Sequence, residues 1–146
     1  MTAFLVDSNV LLRRLQLSSP HHSAAKRALQ TLYRRGDTPH VTAQNLQEFW
    51  SVATRRPERG GLGLTTAQTA RHVSRIRALF RALPDSPDIY PEWERLVVRL
   101  NITDAEVFDA RLVAAMNVYS ITRILTFNGA DFRPFPGITI VDPRTV

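Results

Sequence analysis

The chain has 146 residues, 44% of them hydrophobic, nineteen basic against thirteen acidic, for a formal charge of +6, and it contains no cysteine. That length and apolar content suit one packed domain over residues 1–146, and the lack of cysteine excludes disulfides, thiolate nucleophiles and cysteine-bound zinc. No apolar run approaches the ~20 residues that cross a bilayer, and no basic segment leading into a signal-like block opens the chain, so a soluble cytoplasmic protein is expected.

Residues 3 to 6, Ala-Phe-Leu-Val, read as a short buried strand, followed by Asp7 and by an apolar stretch, Val10 to Leu17, suited to a helix. Ser19-Pro20 predicts a new helix, with serine as N-cap and proline in the first turn. Ala24, Ala25, Ala28, Leu29 and Leu32 carry it at helical spacing to near Gly36. His40 to Thr42 is long enough for one short buried strand. The spacing of Leu46, Phe49, Trp50 and Ala53 predicts a helix from Ala43 to Arg56, with Glu48 beside its apolar stripe.

Residues 57 to 64, Pro-Glu-Arg-Gly-Gly-Leu-Gly-Leu, lack the Gly-Lys-Ser/Thr ending of a phosphate-cradling loop and predict a flexible connection. Thr65 and Gln68 have capping-box spacing and open a helix through roughly Leu83. Pro84, Pro87 and Pro91 make residues 84 to 91 a loop or a very short strand, and Glu92 to Leu100 is a further helix. Thr103-Asp104-Ala105-Glu106 is a second capping box, opening a helix through Val118. Ile121 to Phe127 and Ile138 to Val141 read as the last strands. Helices alternating with short strands predict a parallel α/β sheet covered on both faces.

Eighteen of the nineteen basic residues are arginine, Lys26 being the exception. Guanidinium groups bind phosphate in a bidentate manner, which suits a nucleic-acid partner, although a high-GC coding bias also replaces lysine by arginine. The acidic residues are more informative. Asp7 stands where a buried strand hands over to a helix, the edge at which ligands bind in open parallel sheets; it equally suits the N-cap of the next helix. Glu48 and Asp109 lie within apolar helix faces, and Asp131 follows the strand Arg-Ile-Leu-Thr-Phe. Each alone is compatible with a solvated residue or an arginine ion pair. Brought together at ~5 Å without a cation, each pair would repel by about 3 kcal/mol at an effective dielectric of 20. A converging cluster therefore protonates, pairs with arginine or holds a divalent metal, and an all-oxygen set favours Mg²⁺ or Mn²⁺. The four histidines are adjacent or isolated and make no metal pair. Asp104, five residues before Asp109, would lie about 140° from it on a regular helix and is assigned to the cap.

The segments Phe-Leu-Val-Asp-Ser-Asn-Val-Leu-Leu, Asn-Leu-Gln-Glu-Phe-Trp, Phe-Asp-Ala-Arg-Leu-Val-Ala-Ala-Met and Ile-Leu-Thr-Phe-Asn-Gly-Ala-Asp-Phe, in that order and spacing, resemble the motifs of the PIN-domain nucleases. The closest likeness is to the single-domain VapC toxins of toxin-antitoxin pairs, and it spans essentially the whole chain. The resemblance implies a three-layer α/β/α fold with a short central parallel sheet of four to five strands. It further implies a Mg²⁺- or Mn²⁺-dependent endoribonuclease, homodimeric and held inactive by a cognate antitoxin. Residue by residue, Asp7, Glu48 and Asp109 match the three central acids. Asp131 matches the usual fourth, with Asn128 close enough to contribute. Ser8, Asn9 and Thr126 match small polar positions that line such a site. One departure is visible: a histidine commonly precedes the third acid, and here it is Phe108.

The expected chemistry is hydrolysis of an RNA phosphodiester by water, with Arg55, Arg56 and Arg59 as candidate contacts to the RNA backbone. A catalytically silent PIN scaffold that binds RNA or a protein is the alternative. A phosphatase of small phosphate esters is a third reading, but it usually has a second acid two residues after the first, where this chain has Asn9.

Overall fold

Alternation along the first strand sorts its side chains onto two faces: Phe4 and Val6 pack into one buried cluster and Leu5 into the other. The computed structural model describes residues 1–146. Five strands form one parallel sheet: β1 (Ala3–Val6), β2 (Thr38–Thr42), β3 (Arg81–Leu83), β4 (Arg123–Leu125) and β5 (Thr139–Val141), in the order β3-β2-β1-β4-β5. Helices α1 (Ser8–Leu15), α2 (His22–Arg34), α3 (Ala43–Thr54) and α4 (Thr66–Leu79) bury Val10, Leu11, Ala28, Leu32, Phe49 and Ile76 against one face. Helices α5 (Ile89–Arg99) and α6 (Glu106–Val118) cover the other with Leu96, Leu112, Val113 and Met116. The result is the expected three-layer α/β/α arrangement, with β1 at its centre.

From β1 the chain steps one way to β2 and β3, then returns to the other side of β1 for β4 and β5. The carboxyl ends of β1 and β4 therefore flank the topological switch point, where neighbouring connections diverge and leave a crevice. Asp7 follows β1 there, and Thr126 follows β4.

Several boundaries differ from those predicted. Ser19 and Pro20 form a turn, with Ser19 Oγ accepting from the His21 amide, and α2 begins only at His22, without a side-chain cap. The helix opened by the Thr65–Gln68 capping box stops at Leu79, and Arg81–Leu83 is a strand instead, because those residues pair with His40–Thr42 at the sheet edge. Conversely α5 starts at Ile89, three residues before the predicted start, since Pro91 falls in the first turn, where no backbone donor is needed. The capping box proposed at Thr103 does not form: Asp104 adopts φ 59°, Ala105 is the N-cap, and α6 begins at Glu106. Residues 57–64 are not a loose connection. A short 3₁₀ turn, Pro57–Arg59, folds back so that the amides of Gly61, Leu62, Gly63 and Leu64 reach carbonyls of Arg56, Val52, Arg55 and Ala53, closing the end of α3.

Candidate active site

Asp7 is 7% exposed, and each of its carboxylate oxygens is engaged. Oδ1 accepts from the Ser8 amide at 2.8 Å, the N-cap bond that starts α1. Oδ2 accepts from the Thr126 hydroxyl at 2.8 Å and from Asn9 Nδ2 at 3.2 Å. Asn9 also ties down the loop beyond β4, because its Oδ1 accepts from the Phe127 amide at 3.2 Å. The Thr126 hydroxyl accepts in turn from the Asn128 amide at 3.0 Å. Ser8, Asn9, Thr126 and the backbone of Asn128 thus form one network that orients Asp7 across the switch point.

Glu48 is brought in by α3, whose start is set by a reciprocal, buried capping box between Thr42 and Asn45. Its half-buried carboxyl has an oxygen, Oε1, that is buried and without any hydrogen-bond partner. Burial, then the charges of Asp7 and Asp109, push its pKa up to about 7. Asp109, in the first turn of α6, is pushed up to about 6 by burial and then by Asp131, Asp7 and Glu106. Asp7 is raised chiefly by burial, with its hydrogen bonds from Thr126 and Ser8 opposing and Asp131 adding to the rise.

Four acids from four segments of the chain are therefore linked by charge: Asp131 acts on Asp7 and Asp109, Asp7 on Asp109 and Glu48, and Asp109 on Glu48. Asp131, exposed on the 3₁₀ turn Gly129–Phe132, is felt by both Asp7 and Asp109; the side chain of Asn128 makes no hydrogen bond. As the side chains stand, no three of them share a point at which an ion is held. Their chemistry still fits a hard dication: every donor is oxygen, and Glu48 Oε1 is a buried acceptor with nothing to satisfy it. No arginine pairs with any of the four, the acidic partners of the ion pairs being Glu92, Asp85 and Asp142.

Arg55, Arg56 and Arg59 lie beyond the end of α3, exposed and without ion-pair partners. Arg55 is seven residues past Glu48, about 10 Å along the helix axis. Two residues were missed at the level of sequence. Glu106, read there only as part of a cap, sits three residues before Asp109 and raises its pKa; an i, i+3 pair of acids was the available signal. Gln44 is buried and links α3 to α6, donating to the Phe108 carbonyl at 2.8 Å and accepting from Arg111 at 3.2 Å. Nothing local marks it.

The PIN domain model matches residues 4–136. No curated protein sequence matches the chain. Among solved structures, the chain is similar to VapBC2 of Rickettsia felis bound to a promoter DNA fragment, with a TM-score of 0.71 at 12% identity over 97% of this chain and 98% of that one. It is likewise similar to VapC20 of Mycobacterium tuberculosis, a sarcin-ricin loop cleaving toxin, with a TM-score of 0.66 at 20% identity over 88% and 92%. A toxin-antitoxin complex from Klebsiella pneumoniae gives 0.65 at 20% over 95% and 96%. At these identities the likeness is one of fold. The sheet order, the acids gathered at its switch point and the match over 133 of 146 residues lead to one assignment: the chain belongs to the PIN-domain family.

Proposed function

We propose that this protein is a Mg²⁺- or Mn²⁺-dependent endoribonuclease acting as the toxin of a toxin-antitoxin pair. The observation that carries the reading is the upward shift of both Glu48 and Asp109, by burial first and then by neighbouring carboxylates, Asp7 acting on each, at the carboxyl edge of the sheet. Membership of the PIN family supports nuclease chemistry, and the toxins and toxin-antitoxin complexes among the similar folds support the biological role.

Asp7, Asp109 and Asp131, with Glu48 beside them, are the residues that would hold the ion. An ion held by these residues would supply Lewis acidity, favouring ionisation of water and offsetting negative charge on the phosphate. Thr126, Asn9 and the Ser8 amide hold Asp7 in one orientation, so the carboxylate is aimed before substrate arrives. Glu48, whose Oε1 is buried and has no hydrogen-bond partner, is the group placed to orient the attacking water and take its proton. No side chain need form a covalent intermediate. The arginines without acidic partners, Arg55, Arg56 and Arg59 among them, would grip the RNA backbone.

The partner reading rests on a second surface. A groove of about 670 Å³ between α1, α2 and α4 has Leu11, Leu29 and Ile76 in its floor and Arg14, Lys26 and Arg75 along its rim. Apolar floor and basic rim complement an amphipathic acidic segment, the chemistry we assign to the antitoxin. A homodimeric, cytoplasmic toxin completes the proposal. The experiment is cleavage of an RNA panel with Mg²⁺: Asp7→Asn is expected to lose at least ~100-fold in rate, and wild-type rates would remove Asp7 from the chemistry. Calorimetric titration of the partner-free protein with Mn²⁺ separates this reading from a silent scaffold, which would bind none.

A further inference from the structure

We propose that the cavity beside Phe108 is a stacking subsite for one base of the RNA strand flanking the scissile phosphate, an inference that rests on the ribonuclease reading above. The cavity, about 330 Å³, lies between the first turns of α5 and α6, with Tyr90, Trp93, Phe108 and Arg111 in its wall. Phe108 and Tyr90 are each 63% exposed and line the same cavity, so they form a contiguous apolar patch of the kind that marks a binding surface. The Tyr90 and Trp93 rings lie 5.5 Å apart at 37°, so two aromatic faces already meet at the mouth.

The walls are held in place before any ligand arrives. Trp93 Nε1 donates to the Val107 carbonyl at 2.7 Å, fixing the indole, and Gln44 fixes the backbone of Phe108. Arg111 is anchored between Gln44 Oε1 and Asp85 Oδ1, both at 3.2 Å, yet keeps its guanidinium on the cavity rim. Phe108 and Arg111, three residues apart, share one face of α6, while Asp109 points about 100° away into the acidic crevice. A strand whose phosphate meets the carboxylates thus carries its next base past the Phe108 ring.

Flat aromatic faces with a guanidinium alongside are the chemistry that stacks unpaired bases, with little preference among them. A second copy of the chain would need about 800 Å² of cover from each partner, whereas this mouth offers two exposed rings and a narrow cavity. Stacking from Phe108 would set substrate binding rather than the chemical step.

The test is steady-state cleavage of short oligoribonucleotides by wild type, Phe108→Ala and Phe108→Tyr. Phe108→Ala should raise KM roughly 5- to 150-fold with kcat within about threefold, and Phe108→Tyr should behave as wild type. An abasic ribose next to the scissile phosphate should raise the wild-type KM by a similar factor and cost Phe108→Ala nothing more. An unchanged KM for Phe108→Ala, or the same loss with and without the base, overturns the subsite. So does sedimentation showing that Phe108→Ala turns a dimer into monomers, which would assign the face to a second copy. If the wild type cleaves no RNA, the ribonuclease reading fails separately. The subsite is then read from 2-aminopurine RNA: quenching by wild type but not by Phe108→Ala supports it, and no quenching by either overturns it.

Discussion

At the residue scale, Asp7 illustrates how a structural and a functional reading coincide. It is an N-cap, through the Ser8 amide, and its other oxygen is held by Thr126 from a distant strand. Neither partner neutralises it, so burial still raises its pKa and its charge still reaches Glu48. The cost of this arrangement is a pH dependence of known sign. Glu48 moves from 4.5 to about 7 and Asp109 from 3.8 to about 6 on folding. Between these limits the folded protein binds more protons than the unfolded chain, so stability falls as pH rises. In the presence of EDTA these two groups should lower the melting temperature steadily as pH rises from ~4 to ~7, with no further loss above that. Glu48→Gln should flatten the upper part of that decline, and millimolar Mn²⁺ should restore stability at the alkaline end, because only the folded state gathers the acids. Differential scanning fluorimetry across pH reads all three; a melting temperature that climbs from pH ~5 to ~8 in EDTA would contradict the crowding of these carboxylates.

At the scale of elements, the periodic parts were legible and the boundaries were not. Helical spacing identified α2 and α3, because burying one face imposes that period on a continuous segment, and a short apolar run identified β1, which is buried on both faces. Arg81–Leu83 misled for a different reason: its residues suit a helix, and only pairing with β2 makes them a strand. Asp104 misled because a capping-box pattern says nothing about a backbone that turns to positive φ. The glycine-rich stretch has a role that spacing does not reveal. A Cβ on Gly61 would stand 2.0 Å from the Arg55 carbonyl oxygen, which no side-chain adjustment relieves. Gly61→Ala should therefore detach the fold-back that closes α3, with a loss of about 1–3 kcal/mol measured from the urea midpoint at unchanged m. Wild-type stability would mean that this turn contributes nothing to holding the end of α3.

At the scale of the whole molecule, charge and topology divide the labour. Four of the thirteen acids are gathered at one crevice, whereas three arginines of eighteen pair with a carboxylate elsewhere. A net positive charge around an acidic crevice attracts a polyanion to the exterior, and the crevice repels it. RNA affinity should accordingly weaken with salt. Replacing Arg55, Arg56 and Arg59 together by serine should reduce the slope of log K against log[salt] by about 0.7 for each phosphate these arginines neutralise. Fluorescence anisotropy with single-stranded RNA at several NaCl concentrations measures it, and an unchanged slope would assign the grip on the RNA backbone to other arginines.

By itself the sequence determined which segments bury a face, that acids stand at the ends of strands or within apolar helix faces, and that sulfur chemistry is excluded. Those properties are local or compositional: they depend on residue types and on intervals within one segment. Only the tertiary structure decided the strand order, the reach of Thr126 to Asp7 across the switch point, the link of Gln44 to α6 and the inclusion of Glu106 among the charges acting on Asp109. Proton affinity and hydrogen bonding depend on burial and on distance through space, and neither is encoded in separation along the chain.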